Sequence, residues 1–229
     1  MTTAREEILR RIRAALADVP SDEQPEHVSV ERGFNRASDA ARSEIVDLFV
    51  ERVTEYQATA HRVSETDLPQ AIAAACASRG VRRLVVPADV PDKWMPEGAA
   101  HGIELLRDGP GRELAVDELN ASDAALTGCA LGIAQTGSIV LDSGPAQGRR
   151  AITLVPDCHL CVMREDQIVG IMPEAITHLG DAVRARRPIT VISGPSATVD
   201  IEFQRVKGVH GPRTLEVFVV AATPAASSA

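Results

Sequence analysis

From residue 58 onward the chain alternates between short, nearly unbroken runs of Val, Ile, Leu and Ala and longer helical stretches, with Gly, Pro, Ser and Asp between them. Strands buried on both faces read as continuous apolar runs, whereas half-exposed strands alternate apolar and polar residues. Strand–helix–strand order with runs of this kind indicates a largely parallel sheet with helices on both faces. Strands are expected at His61–Ser64, Leu84–Val86, Ala124–Cys129, Ser138–Leu141, Ile152–Val155, Leu160–Met163, Ile189–Ile192 and Leu215–Val220. Helices are expected over Asp67–Ser78, ended by Gly80, near Cys129–Ala134, and around Glu174–Leu179. Two close strand pairs, around 138–155 and 155–170, read as hairpins inserted on that sheet.

Before this region lie two amphipathic helices and a linker. Thr3 followed by Glu6 fits a capping box, and Ile8, Ile12, Ala15 and Val19 recur at helical spacing. Residues 20–36, with Pro20, Pro25 and mixed charges, read as a connection. A second helix over about Ser38–Tyr56 carries the stripe Ala41, Ile45, Leu48, Val53 and Tyr56. The expected organisation is therefore a helix and linker over 1–36, an α/β domain over 37–222, and a frayed tail over 223–229. The first helix has three readings: packed on the domain, solvated, or joining two copies as a homo-oligomer.

Composition narrows the function. A formal net charge of −8 argues against a nucleic-acid or membrane-surface binder, which would carry a basic surplus. The aromatics are four Phe, one Tyr and one Trp, too few for a base-stacking platform. The first thirteen residues carry Arg5, Glu6, Glu7, Arg10, Arg11 and Arg13, so no signal core is read there, and no apolar run approaches the ~20 residues of a membrane helix. Four cysteines in 229 residues are not a disulfide framework. A cytoplasmic protein is expected.

Three loops are rich in Gly, Ser, Thr and Arg: Ala134-Gln135-Thr136-Gly137-Ser138, Ser193-Gly194-Pro195-Ser196-Ala197-Thr198-Val199-Asp200, and Val209-His210-Gly211-Pro212-Arg213. Glycine lets a backbone approach a ligand closely, and hydroxyls with N–H groups cradle an anion. Arg213 and the pair Arg149–Arg150 would add a bidentate clamp for carboxylate or phosphate. Tight turns with capping hydroxyls are the plainer reading of each loop alone. Ligands of open α/β sheets sit beyond the carboxyl ends of the strands, which is where these loops are expected to converge.

His159, His210, Asp200 and Glu202 would supply a mixed metal site or an acid–base group, but no HExxH or HxH spacing supports one. The Cys158-His159-Leu160-Cys161 pair leads into an expected strand, where positions three apart face opposite sides. Joint coordination by its sulfurs is therefore disfavoured. No GxSxG elbow, GxGxxG turn or GxxxxGK[ST] loop is present.

Gly132-Ile133-Ala134-Gln135-Thr136-Gly137-Ser138-Ile139-Val140-Leu141, then Gly148-Arg149-Arg150 and Leu154-Val155-Pro156-Asp157-Cys158-His159, stand in a distinctive order. The runs 193–202 and 208–213 follow them. Together they resemble the LUD-domain family, most closely its lactate utilization protein C branch, densely over 124–220 and more loosely over 38–123. The resemblance implies a Rossmann-like fold related to the sugar-phosphate isomerase and CoA-transferase superfamily. It also implies a bacterial system of three proteins that oxidises L-lactate to pyruvate, two of them iron–sulfur subunits. This chain lacks their cysteine-rich motifs and would be the subunit with no cofactor of its own. Relatives commonly carry a glutamate at the position of Gln135. Glutamine cannot titrate, which discounts a covalent CoA-transferase mechanism here.

The expectation is a cluster-free subunit that holds a small anionic metabolite. Its contacts would be Gln135, Thr136, Gly137, Ser138, Arg149, Ser193, Gly194, Ser196, Thr198 and Arg213. Asp200 and His210 would orient them or act in catalysis, and His159 is a weak metal candidate. The rivals are a stand-alone acyl- or CoA-dependent transferase or isomerase, and a scaffold whose loops serve subunit contacts.

Overall fold

The computed structural model describes residues 3–20, 22–24, 29, 31, 33–95, 102–198, 206–208 and 210–221. The chain divides into two compact units, Met1–Asn35 and Arg36–Ala229. The first contains helix α1 (Ala4–Ala15), where Thr3 Oγ1 accepts from Glu6 N at 3.3 Å and Thr3 N donates to Glu6 Oε2 at 2.7 Å. No residue of α1 is buried, and Ile8 and Ile12 are half exposed.

The second unit starts with α2 (Arg42–Glu55), β1 (Thr59–Val63), α3 (Leu68–Arg79), β2 (Arg83–Pro87), β3 (Glu104–Asp108), α4 (Val116–Asn120) and β4 (Ala124–Thr127). Next come β5 (Leu131–Ile133), β6 (Ser138–Leu141), β7 (Cys158–Arg164) and β8 (Ile168–Val169). Helices α5 (Met172–His178) and α6 (Gly180–Arg184) lead to β9 (Thr190–Ile192), β10 (Ala197–Thr198), β11 (Val206–Lys207) and β12 (Thr214–Val220).

Six strands form one parallel sheet in the order β1-β12-β7-β4-β2-β3. Its central strands are buried along nearly their whole length, as continuous apolar runs require. Cys158, Leu160, Val162, Phe218 and Val220 pack on one face against Leu68, Ile72 and Cys76 of α3. Cys161, Met163, Val217 and Val219 pack on the other against Val46, Phe49 and Val53 of α2. Alternation along β7 thus sends the two sulfurs of the Cys-x-x-Cys pair to opposite faces.

Beside α2 lies a second, four-stranded sheet in the order β8-β5-β6-β9. Ile139 and Leu141 of this sheet share the α2-side core. At Gly132 of β5 a side-chain carbon would stand 2.7 Å from Met163 Sδ and 2.9 Å from Phe49 Cε2, so the sheets meet where only glycine fits.

Several sequence expectations are corrected here. The short helix near Cys129–Ala134 is strand β5, paired antiparallel with β6. The strand at Ile152–Val155 is a 3-10 turn over Arg150–Thr153, because Ile152 is a buried plug against Val85, Ala125 and Leu119. Short apolar runs do not distinguish the two by periodicity. The expected hairpins are replaced by the single β5–β6 hairpin; β7 joins the main sheet, while β8 runs parallel to β5. Strand β3 (Glu104–Asp108) lies where no strand is expected from the sequence. The expected tail over 223–229 lies outside the described residues.

Candidate functional site

A cavity of about 320 Å³ opens beside the amino ends of β7 and β12. Its wall is the strand and turn from Thr190 to Ala197, faced by Arg150, Thr153, His159 and the segment His210–Pro212. The location differs from the expected carboxyl ends. The Ser193–Ser196 turn follows β9, which belongs to the small sheet, so the rule for the parallel sheet does not govern it.

Two of the three loops are stitched together through Ser196. Its N donates to Pro212 O at 2.8 Å, its carbonyl accepts from Gly208 N at 2.9 Å, and its hydroxyl accepts from His210 N at 3.0 Å. Gly194 sits at φ +81°, and a side-chain carbon there would stand 2.7 Å from Tyr56 O, so this turn needs glycine to close on the end of α2. The third loop reaches the cavity indirectly. Buried Ser138 stands 2.7 Å from Ser193 Oγ and 2.8 Å from Thr136 Oγ1, a chain of three hydroxyls running from the β5–β6 turn to the cavity wall.

His159 is 1% exposed and forms part of the floor. Its Nε2 lies 2.8 Å from Thr127 Oγ1, and Thr127 Oγ1 donates to Gly128 O at 2.8 Å. Burial pushes the imidazole down to about 4, so the ring is neutral at physiological pH. At the rim Arg150 is exposed, and no carboxylate among the described residues pairs with it. Among the described residues that line this cavity it is the cationic side chain.

Among the expected contacts, Ser193, Gly194 and Ser196 line the cavity, as does His210, expected to orient them or act in catalysis, and Thr136 and Ser138 connect to it through hydroxyls. Arg149 does not join them. Its Nε lies 3.0 Å from both oxygens of Asp108 and its Nη2 2.7 Å from Oδ2, while Nη2 also donates to Leu114 O. Arg213 turns to Asp157 at 3.1 Å and borders a different cavity with Arg79. Gln135 is exposed, with its N bonded to Gly170 O, and it is not a cavity residue. Gly137 holds the turn against α2. Asp200 and the side chain of Thr198 lie outside the described residues. Among the described residues, the guanidinium that lines this cavity is that of Arg150; of the expected clamp of Arg213 and the pair Arg149–Arg150, the other two arginines face elsewhere. The adjacent arginines part because Asp108, at the end of β3, captures Arg149 and leaves Arg150 at the cavity.

No group of three or more His, Cys, Asp or Glu among the described residues is placed to hold a metal ion. The four cysteines are unbridged and buried. Among the described residues no helix is long and apolar enough to cross a membrane.

A parallel α/β sheet overlaid by a small mixed sheet, with a hydroxyl-rich cavity at their junction, defines a doubly covered α/β domain of Rossmann-like type. The LUD domain profile matches residues 46–220, and the chain belongs to that family. It is 48% identical over 180 residues to lactate utilization protein C of Deinococcus radiodurans, covering 79% of this chain and 81% of that one. Lactate utilization protein C of Geobacillus thermodenitrificans is 29% identical over 175 residues, 69% of this chain and 70% of the other. The crystal structure of a DUF162 family protein from Deinococcus radiodurans superposes with a TM-score of 0.67 at 43% identity, covering 79% of this chain and 99% of that chain.

Proposed function

We propose that this chain serves bacterial lactate utilization as a subunit that binds a small carboxylate of that metabolism in the Ser193–His210 cavity. It would work beside two iron–sulfur subunits that carry out the electron transfer of L-lactate oxidation to pyruvate. Relatives that share most of its length carry the name lactate utilization protein C, which supports the metabolic role. The observation that carries the binding role is the unpaired Arg150 guanidinium in a cavity that Ser193 and Ser196 also line. A guanidinium pairs with a carboxylate by two parallel N–H···O bonds, and a small polar cavity supplies the remaining donors. The volume of 320 Å³ admits a three-carbon acid together with ordered water.

Calorimetric titration of the purified chain with L-lactate, pyruvate and inorganic phosphate tests this reading. Saturable binding of a carboxylate, weakened about tenfold or more by Arg150→Gln, is expected, since hydrogen bonds to charged groups contribute about 1.5–3 kcal/mol. Absence of heat from every anion, or an Arg150→Gln chain that binds as the parent does, rejects it.

A further inference from the structure

We propose that this cavity selects a 2-hydroxy acid over the corresponding 2-oxo acid, through the Nδ1 lone pair of His159. The inference rests on the carboxylate-binding reading above and adds its chemical selectivity.

Thr127 Oγ1 lies 2.8 Å from both Gly128 O and His159 Nε2. A hydroxyl has a single hydrogen, and a carbonyl oxygen only accepts, so the Thr127 proton goes to Gly128. The Thr127 lone pair then faces Nε2, which must carry the imidazole proton. In a neutral imidazole this leaves Nδ1 unprotonated and able only to accept. Thr127, at the end of β4, is thus a positioning residue that sets the tautomer of a ring on the neighbouring strand β7.

Nδ1 has no hydrogen-bond partner among the described residues, while the ring forms part of the cavity floor. Burial keeps the ring neutral, so near pH 7 this wall offers an acceptor and no proton. A 2-hydroxy acid bound here would set its carboxylate against Arg150 and its hydroxyl hydrogen against Nδ1. A 2-oxo acid brings only a carbonyl oxygen to the same place. Two acceptors then face each other with neither satisfied, and sites that hydrogen-bond a substrate hydroxyl reject analogues without one for this reason.

Titration of the full chain at pH 7 with L-lactate, pyruvate and propionate separates the contributions. L-lactate is expected to bind about tenfold more tightly than pyruvate and several-fold more tightly than propionate. Thr127→Val should bring the lactate-to-pyruvate ratio toward one, and Thr127→Ser should restore it. Long-range ¹⁵N–¹H spectra of the parent chain should show His159 protonated at Nε2, with L-lactate shifting Nδ1. That measurement needs no variant to fold. Equal affinity for the three acids, a ratio unchanged by Thr127→Val, or an Nδ1–H tautomer overturns the selectivity and leaves carboxylate binding standing. Failure of all three acids to bind overturns both.

Discussion

Asp108, buried at the carboxyl end of β3, is the partner that draws Arg149 away from the neighbouring Arg150. Its Oδ2 also accepts from Leu114 N at 2.9 Å, so one carboxylate fixes both the arginine and the chain entering α4. The hydrogen bonds that Arg149 donates to Asp108 hold its guanidinium above the ordinary pKa. Asp108→Ala leaves a part-buried guanidinium and a backbone N–H without their acceptor. A loss of about 3 kcal/mol in urea unfolding is expected. Arg149→Ala is expected to destabilise the fold while ligand affinity stays at the parent value, in contrast to Arg150→Gln.

The neutral His159 makes stability depend on pH with a definite sign. Its imidazole titrates near 4 in the folded chain and near 6.5 when unfolded. Between these values the unfolded chain holds more protons, so stability falls as pH falls through this window. The contribution is complete above pH 6.5, is lost by about pH 4, and amounts to at most about 3 kcal/mol. Urea midpoints at pH 7, 5.5 and 4.5 test it. His159→Phe, which binds no proton there, should show a shallower decline than the parent; parallel declines would refute the assignment.

Gly137 closes the β5–β6 turn at φ +57°, and a side-chain carbon on it would stand 2.7 Å from the Arg52 carbonyl carbon and 2.8 Å from Val53 N. Gly137→Ala therefore meets both backbone strain and the backbone of α2. A loss of about 3 kcal/mol is expected, observed as a lowered urea midpoint. The Thr136–Ser138–Ser193 hydroxyl chain should loosen with it, and hydrogen exchange at Ser138 N reports that change.

Thiol reactivity provides an independent check on the core. Burial pushes Cys158 up to about 12 and Cys76 to about 11. The Cys161 hydrogen bond, reinforced by burial, raises Cys129 well above the ordinary thiol range. Thiolate is the reactive form, so Ellman's reagent should label the native chain only on the timescale of unfolding. In denaturant all four thiols should react. A rapid native reaction would place a cysteine outside the core.

The parallel sheet, its two covered faces and the divergence of Cys158 and Cys161 were legible because each follows from periodicity, which is local. Helix α3, and strands β2, β6, β9 and β12, likewise lie within a few residues of the expected positions. The turn at Ile152 and strand β5 were not legible. A buried apolar residue looks the same in a turn, strand or helix until its neighbours from distant segments are in place. At the site, Ser193, Gly194, Ser196 and His210 could be singled out because Gly-Ser-Pro loops announce themselves by composition. Thr153 and Thr127 carried no signal. Their importance comes from what lies opposite them.

The residue pattern alone determined the class of fold and singled out the Gly- and Ser-rich turns, since backbone preference and hydrophobic period act over a few residues. Which of two adjacent arginines serves the cavity, and which nitrogen of His159 carries the proton, were decided by the tertiary structure. Asp108 and Thr127 settle those choices from other strands, and side-chain ionic and hydrogen-bond partners depend on proximity in space, which sequence separation does not record.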